Sequence, residues 1–226
     1  MDIYIHLFGR EFLSPAILNS VVLIVVLGVF FVICGAKVKK ADPSKPSKGL
    51  VFFMELVVSN VDKFANSMIG DTKGRYSPFI GFLIFYLFPA NALGILGLTA
   101  PTSNYTITLS MAIFTLTYIA LSGVRAKGVG RYLKDIYLGD VPALFVLNII
   151  SEASKILSLS FRLFGNIMSG AMVSAVLLSL LGWFSVALLP FINIYFDLFA
   201  ALMQTVIFCI LTMVWLSSAV IKQEER

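Results

Sequence analysis

The chain has 226 residues, of which 59% are hydrophobic and only 13% charged, with a mean hydropathy of +0.95. This balance belongs to a polytopic membrane protein and leaves no water-soluble domain of useful size. The formal net charge of +5 does not point to nucleic acid, because the basic residues are confined to short links between apolar spans and read as orientation signals.

The start, MDIYIHLFGREF, lacks the basic region and cleavage site of a signal peptide. Phe12 to Ala36 carries no charge and is long enough to cross a bilayer, which gives the first span. Lys37, Lys39, Lys40, Asp42, Lys45 and Lys48 then surround two prolines in a solvated connector, placed in the cytoplasm by its positive charge. From Gly49 to Ile69 apolar residues recur at helical spacing among Glu55, Asp62 and Lys63, predicting an amphipathic helix along the membrane surface. These elements make up 1–75, the first part of a single membrane domain covering 1–226.

The second part, 76–140, opens on an uncharged run from Tyr76 to Val124 that is too long for one crossing. Ala100 to Asn104, APTSN, divides it into two spans. Pro89 and Asn91 in the first span read as structural, at a kink. The second span, roughly Thr106 to Gly123, returns to a link whose Arg125, Lys127, Arg131 and Lys134 mark it as cytoplasmic.

In the third part, 141–226, the charged residues before the tail are Glu152, Lys155, Arg162 and Asp197. A helix from Pro142 to Leu181 would run about 60 Å, twice the hydrocarbon thickness of about 30 Å, so it must tilt steeply or break. The boundary to the last stretch is expected near Pro190. That stretch, Phe191 to Ile221, carries Asn193, Asp197 and Gln204 on one face and ends in a cytoplasmic KQEER tail. The expected fold is therefore all-α and polytopic. About five crossing helices join a surface amphipathic helix, the last two form a long tilted hairpin, the N-terminus lies outside and the C-terminus in the cytoplasm. The lone His6, and Cys34 and Cys209 within apolar spans, offer neither a multi-histidine metal centre nor a disulfide framework.

Arg162, inside SLSFRLFGN, is the residue to explain. A guanidinium keeps its proton at any physiological pH. Placing a charge at the bilayer centre costs from about 2.5 to more than about 10 kcal/mol, depending on how it is measured. At 100° per residue, Asn148, Ser151, Lys155, Ser158, Asn166 and Ser169 all fall within about 40° of it. All are polar, whereas Leu157, Phe161, Phe164 and Met168 point the other way, so the helix presents a wet groove on one side and lipid or protein on the other. Snorkelling, or a tie to an internal carboxylate, explains a lone arginine but not so long a stripe.

On the facing helix stand Asp197 and Gln204. With Asn166 they line a path from the outer face to Arg162, and Ser158, Ser151 and Lys155 are candidates for a second path on the inner side. Two plainer readings remain beside this one: Lys155 paired with Glu152 three residues away, and serines that let helices approach closely. A fixed positive charge between two paths blocks a leak of cations, so transport needs a mobile carboxylate from elsewhere. The alternative is an ion-coupled secondary transporter acting on its own, with Asp197 and Arg162 as an internal pair, though the sequence lacks the internal repeats that such carriers often show.

The run SKILSLSFRLFGNIMSG, with Gln204 and the ending LTMVWLSSA, resembles subunit a of the bacterial F-type ATP synthase. NALGILGL and PTSN extend the resemblance from about Tyr76 to the C-terminus, while the preceding part is similar in hydropathy more than in residues. The resemblance implies a stator that forms two offset half-channels with the c-subunit ring. Arg162 matches the essential arginine, and Asn166 and Gln204 match polar residues of the outer half-channel. Some members place a glutamate at the position of Ala171 and a histidine at that of Asp197, so here the acid sits on the last helix. The implied partners are the c ring, whose carboxylate pairs with Arg162, the b-subunit peripheral stalk, the remaining ATP synthase subunits and the lipid bilayer. Neither a cofactor, a metal nor catalytic chemistry of its own is implied, and the expected location is the bacterial plasma membrane.

Overall fold

The computed structural model describes residues 5–7, 10–40, 49–69, 74–138 and 145–221, without the side chains of 5–13, 137–138, 183, 185–190, 192–193 and 195–196. The connector over 41–48, the helix start at Pro142, the KQEER tail and the Asn193 side chain lie outside the described residues. A short antiparallel hairpin comes first: β1 (Ile5–Leu7) and β2 (Arg10–Leu13), with His6 opposite Glu11. Sequence reading did not anticipate it. The all-α expectation holds for the membrane bundle that follows.

Helix α1 (Pro15–Lys40) starts on a proline, whose missing N–H costs nothing in the first turn. It ends with Lys37, Lys39 and Lys40 still helical, so these lysines cap the helix dipole rather than belong to the connector. Only Ala16, Ser20 and Cys34 are buried. Ser20 shares a 2.8 Å hydrogen bond with the Tyr86 hydroxyl, and Phe31 meets Phe85 edge-on at 5.1 Å. Helix α2 (Leu50–Ile69) buries Met54, Val61, Ala65 and Ile69, spaced seven and four apart and therefore on one face. That stripe packs on the bundle, while Phe52, Phe53, Leu56 and Val58 stay exposed.

Helix α3 (Ser77–Ala92) runs through Pro89 without a break and tightens into a 3-10 turn at Leu93–Leu96. Asn91 is structural, as expected: its amide donates to the Leu87 carbonyl at 2.9 Å and accepts from the Thr102 hydroxyl at 2.8 Å, all within the buried interior. Gly97, at φ 70°, closes the turn by donating to the Gly94 carbonyl at 2.9 Å. Asn104 then caps α4 (Tyr105–Lys127) by accepting from the Thr106 N–H at 2.9 Å. The basic link is itself helical, as α5 (Val129–Leu133) and a π turn at Lys134–Leu138.

Helix α6 (Phe145–Leu181) has 37 residues and does not break. The boundary to α7 (Ser185–Val220) is a 3-10 turn at Gly182–Phe184, not Pro190, which lies inside α7. The reason is conformational: Gly182 takes φ 50°, which ends a helix, whereas a proline in the second turn removes only one hydrogen bond. Among the described residues, five helices are long and apolar enough to cross a membrane: α1, α3 with its 3-10 extension, α4, α6 and the Asp197–Val220 part of α7.

The core lies where α3, α4, α6 and α7 meet, with Leu83 and Leu87, Ala112 and Ile119, Leu159 and Leu163, and Phe208, Met213 and Leu216 all buried. Thr108, Thr115 and Ser122, each seven apart on α4, are buried as well, small enough to bring backbones close. One turn of this seam is especially tight. A Cβ on Gly123 would meet the Tyr132 ring, with Cδ2 at 2.6 Å, and the Ala219 carbonyl at 3.2 Å. Gly123→Ala is therefore expected to destabilise the detergent-solubilised chain by about 1–3 kcal/mol. Thermal unfolding of Gly123→Ala and of Gly123→Ala/Tyr132→Leu checks this, with stability recovered in the double variant.

Candidate ion path

Of the residues in α6 only Leu159, Ser160 and Leu163 are buried. At 100° per residue, Arg162 sits at the edge of that buried face, between packed protein and an exposed side that includes Leu157, Phe161, Met168 and Met172. The polar stripe divides accordingly. Ser151, Ser158 and Ser169 are exposed, while Lys155, Arg162 and Asn166 are half-buried. Arg162 Nη1 is fully enclosed and donates to no acceptor among the described residues.

Two aromatic contacts hold this part of α6. Tyr105, the first residue of α4, lies 5.3 Å from the Phe161 ring and 5.8 Å from that of Phe164, so it grips both sides of Arg162. Two turns earlier the Lys155 ammonium stands 5.8 Å from the Trp215 ring on α7 and pairs with Glu152. The pairing of Lys155 with Glu152 is thus as sequence reading anticipated. Neither aromatic partner was singled out from sequence, because a lone Tyr or Trp in an apolar helix carries no periodic signal of its contacts.

On α7, Gln204 is buried and its Nε2 has no acceptor among the described residues. Asp197 lies two turns nearer the start of α7, half-buried against the turn at Leu93–Leu96. Among the described residues the ion pairs are Lys127 with Asp135, at 3.2 Å, and Lys155 with Glu152. Arg162 and Asp197 form none, so the internal pair required by a self-sufficient carrier is missing.

At the basic end of the bundle a cavity of about 1810 Å³ opens between α4, α5, α6 and α7. Lys127, Arg131, Lys134, Asp135, Glu152 and Lys155 supply its charged lining. Lys127 is held there by Asp135 and by the Ser218 carbonyl at 3.3 Å. The cavity brings Lys155 together with the basic link, but Ser151 and Ser158 are not among its lining residues.

Five helices are long and apolar enough to cross a membrane, and α6 and α7 each carry an enclosed polar donor with no acceptor among the described residues. The family model described as ATP synthase A chain matches residues 17–217. The chain belongs to this family. The match begins in α1, so it reaches further towards the N-terminus than the residue motifs alone. Among curated relatives, ATP synthase subunit a of Helicobacter hepaticus is 39% identical over 184 residues, 79% of each chain. That of Helicobacter pylori strain P12 is 35% identical over 210 residues, 90% of this chain and 89% of the relative. The Aliarcobacter butzleri protein is 33% identical over 209 residues, with the same shares. The chain is thus a multi-pass membrane component of the F-type ATP synthase.

The Tyr105 contacts generate a test. Tyr105→Ala removes both ring pairs, each worth about 0.5–1.5 kcal/mol beyond buried area, and is expected to lower the thermal midpoint of the solubilised complex. Tyr105→Phe keeps both rings and is expected to match the wild type within about 0.5 kcal/mol.

Proposed function

We propose that the chain is the ion-translocating stator of the rotary ATP synthase, and that Arg162 separates two offset half-channels formed with a ring of c subunits. The observation that carries this reading is a pair of enclosed donors lacking acceptors among the described residues, Nη1 of Arg162 and Nε2 of Gln204. Leaving such groups unpaired costs about 1–3 kcal/mol each, and more for a charged one. A carboxylate brought by another chain supplies the opposite charge that the guanidinium lacks. The exposed side of α6 beside Arg162 offers that chain a surface.

An ion entering from the loop side passes Asp197, Asn166 and Gln204, binds the ring carboxylate and frees it from Arg162. The neutralised carboxyl then travels round with the ring. It releases its ion on the other side, towards Lys155 and the charged cavity, with Ser151 and Ser158 on the exposed edge of the same helix. Arg162 takes up the bare carboxylate before the next cycle. A guanidinium does not give up its proton, so it acts as a gate charge and never as a carrier.

The positive-inside rule puts the basic cavity and the C-terminus in the cytoplasm and the N-terminus outside, in a bacterial plasma membrane. A b-subunit peripheral stalk holds the chain against rotation, the remaining subunits carry out the ATP chemistry, and protons are the default ion. This chain takes part without catalytic residues, cofactor or metal, and without nucleic acid. The test is ATP-driven acidification of inverted membrane vesicles at equal complex abundance. Arg162→Ala is expected to abolish pumping, Arg162→Lys not to restore it fully, and sodium to leave the wild type unaffected. Pumping that survives Arg162→Ala overturns the reading.

A further inference from the structure

Gly94 stands in the 3-10 turn at the end of α3, and its backbone does not need a glycine: its φ is outside the left-handed region, unlike that of Gly97 at 70°. What crowds a side chain there is Asp197. A Cβ on Gly94 would lie 3.0 Å from Asp197 Oδ2, 3.5 Å from its Cγ and 3.9 Å from Oδ1. The turn has little freedom to retreat. Gly97 N–H bonds the Gly94 carbonyl at 2.9 Å, Leu98 N–H bonds the Leu93 carbonyl at 3.2 Å, and the Asn91–Thr102 bond ties the turn to the next loop from within the core. Among the described residues the carboxylate forms no ion pair, and the contact that locates it is the backbone at 94.

We infer that Gly94 is a positioning residue for ion translocation: the bare backbone at 94 is the seat on which the Asp197 carboxylate rests, keeping it in the outer path. The inference rests on the outer-path role of Asp197 proposed above. Any side chain at 94 pushes the carboxylate along or out of that path, and the displacement grows with side-chain size. An angstrom of misplacement in a reacting group is enough to change rates by one to two orders of magnitude.

The test uses the assembled complex in inverted vesicles, with abundance matched. ATP-driven acidification is expected to fall about threefold in Gly94→Ala and about tenfold or more in Gly94→Val. Asp197→Glu, which leaves the turn intact but lengthens the acid by one methylene, is expected to lose pumping as well, and it reads the same constraint should a Gly94 variant fail to assemble. A readout that a merely structural glycine would not move is the reactivity of Cys introduced by Asp197→Cys towards a membrane-impermeant maleimide in right-side-out vesicles. Gly94→Val is expected to change that labelling rate at least about fivefold. Wild-type pumping in Gly94→Val, or in Asp197→Glu where Gly94→Val does not assemble, or an unchanged labelling rate, overturns the assignment. Arg162→Ala in the same preparation separates the two readings. If it still pumps, the stator mechanism fails; if it does not while Gly94→Val pumps normally, only the role of Gly94 fails.

Discussion

The arrangement turns on one guanidinium that cannot be neutralised and whose Nη1 finds no acceptor among the described residues. In a soluble protein water would solve the problem. Within a bilayer the choices are an internal carboxylate, a snorkelling route to the interface, or a partner from outside the chain. The described residues provide two ion pairs, both at the basic end and neither involving Arg162. The surrounding structure then serves a single need, which is to hold the helix that carries Arg162 firmly while leaving one side of it free. Tyr105 and Trp215 grip α6 at two levels, and Leu159, Ser160 and Leu163 make up its buried contact.

The polar groups are graded along the bundle in a way that fits this need. Asp197 lies at the loop end beside the turn at Leu93–Leu96, Gln204 two turns further along α7, and the Lys155–Glu152 pair and the cavity at the basic end. A single through-channel would put the polar groups in one connected line. Here the acidic residue and the basic cavity belong to opposite ends, with Arg162 on the helix that joins them.

Much of this was legible in the sequence because the membrane imposes strong rules. Spans follow from uncharged length, and the stripe through Arg162 from helical periodicity. The misses have physical causes. Pro190 looked like a boundary because proline breaks most helices, yet near a helix start it removes one bond, while Gly182 at positive φ turns the chain. The N-terminal hairpin gave no sign because short strands carry too few residues for a period to emerge. Gly94 and Tyr105 matter through contacts that are distant in sequence, and periodicity within one helix says nothing about what faces it. The stripe also proved to be less uniform than a helical wheel suggests: its serines face outward, whereas Lys155, Arg162 and Asn166 are half sheltered.

The sparse burial of α6 carries a consequence for biogenesis. A helix of 37 residues that contributes three to its own protein's core is, before assembly, covered mainly by lipid. Docking with the other subunits of the complex is what replaces that lipid with protein.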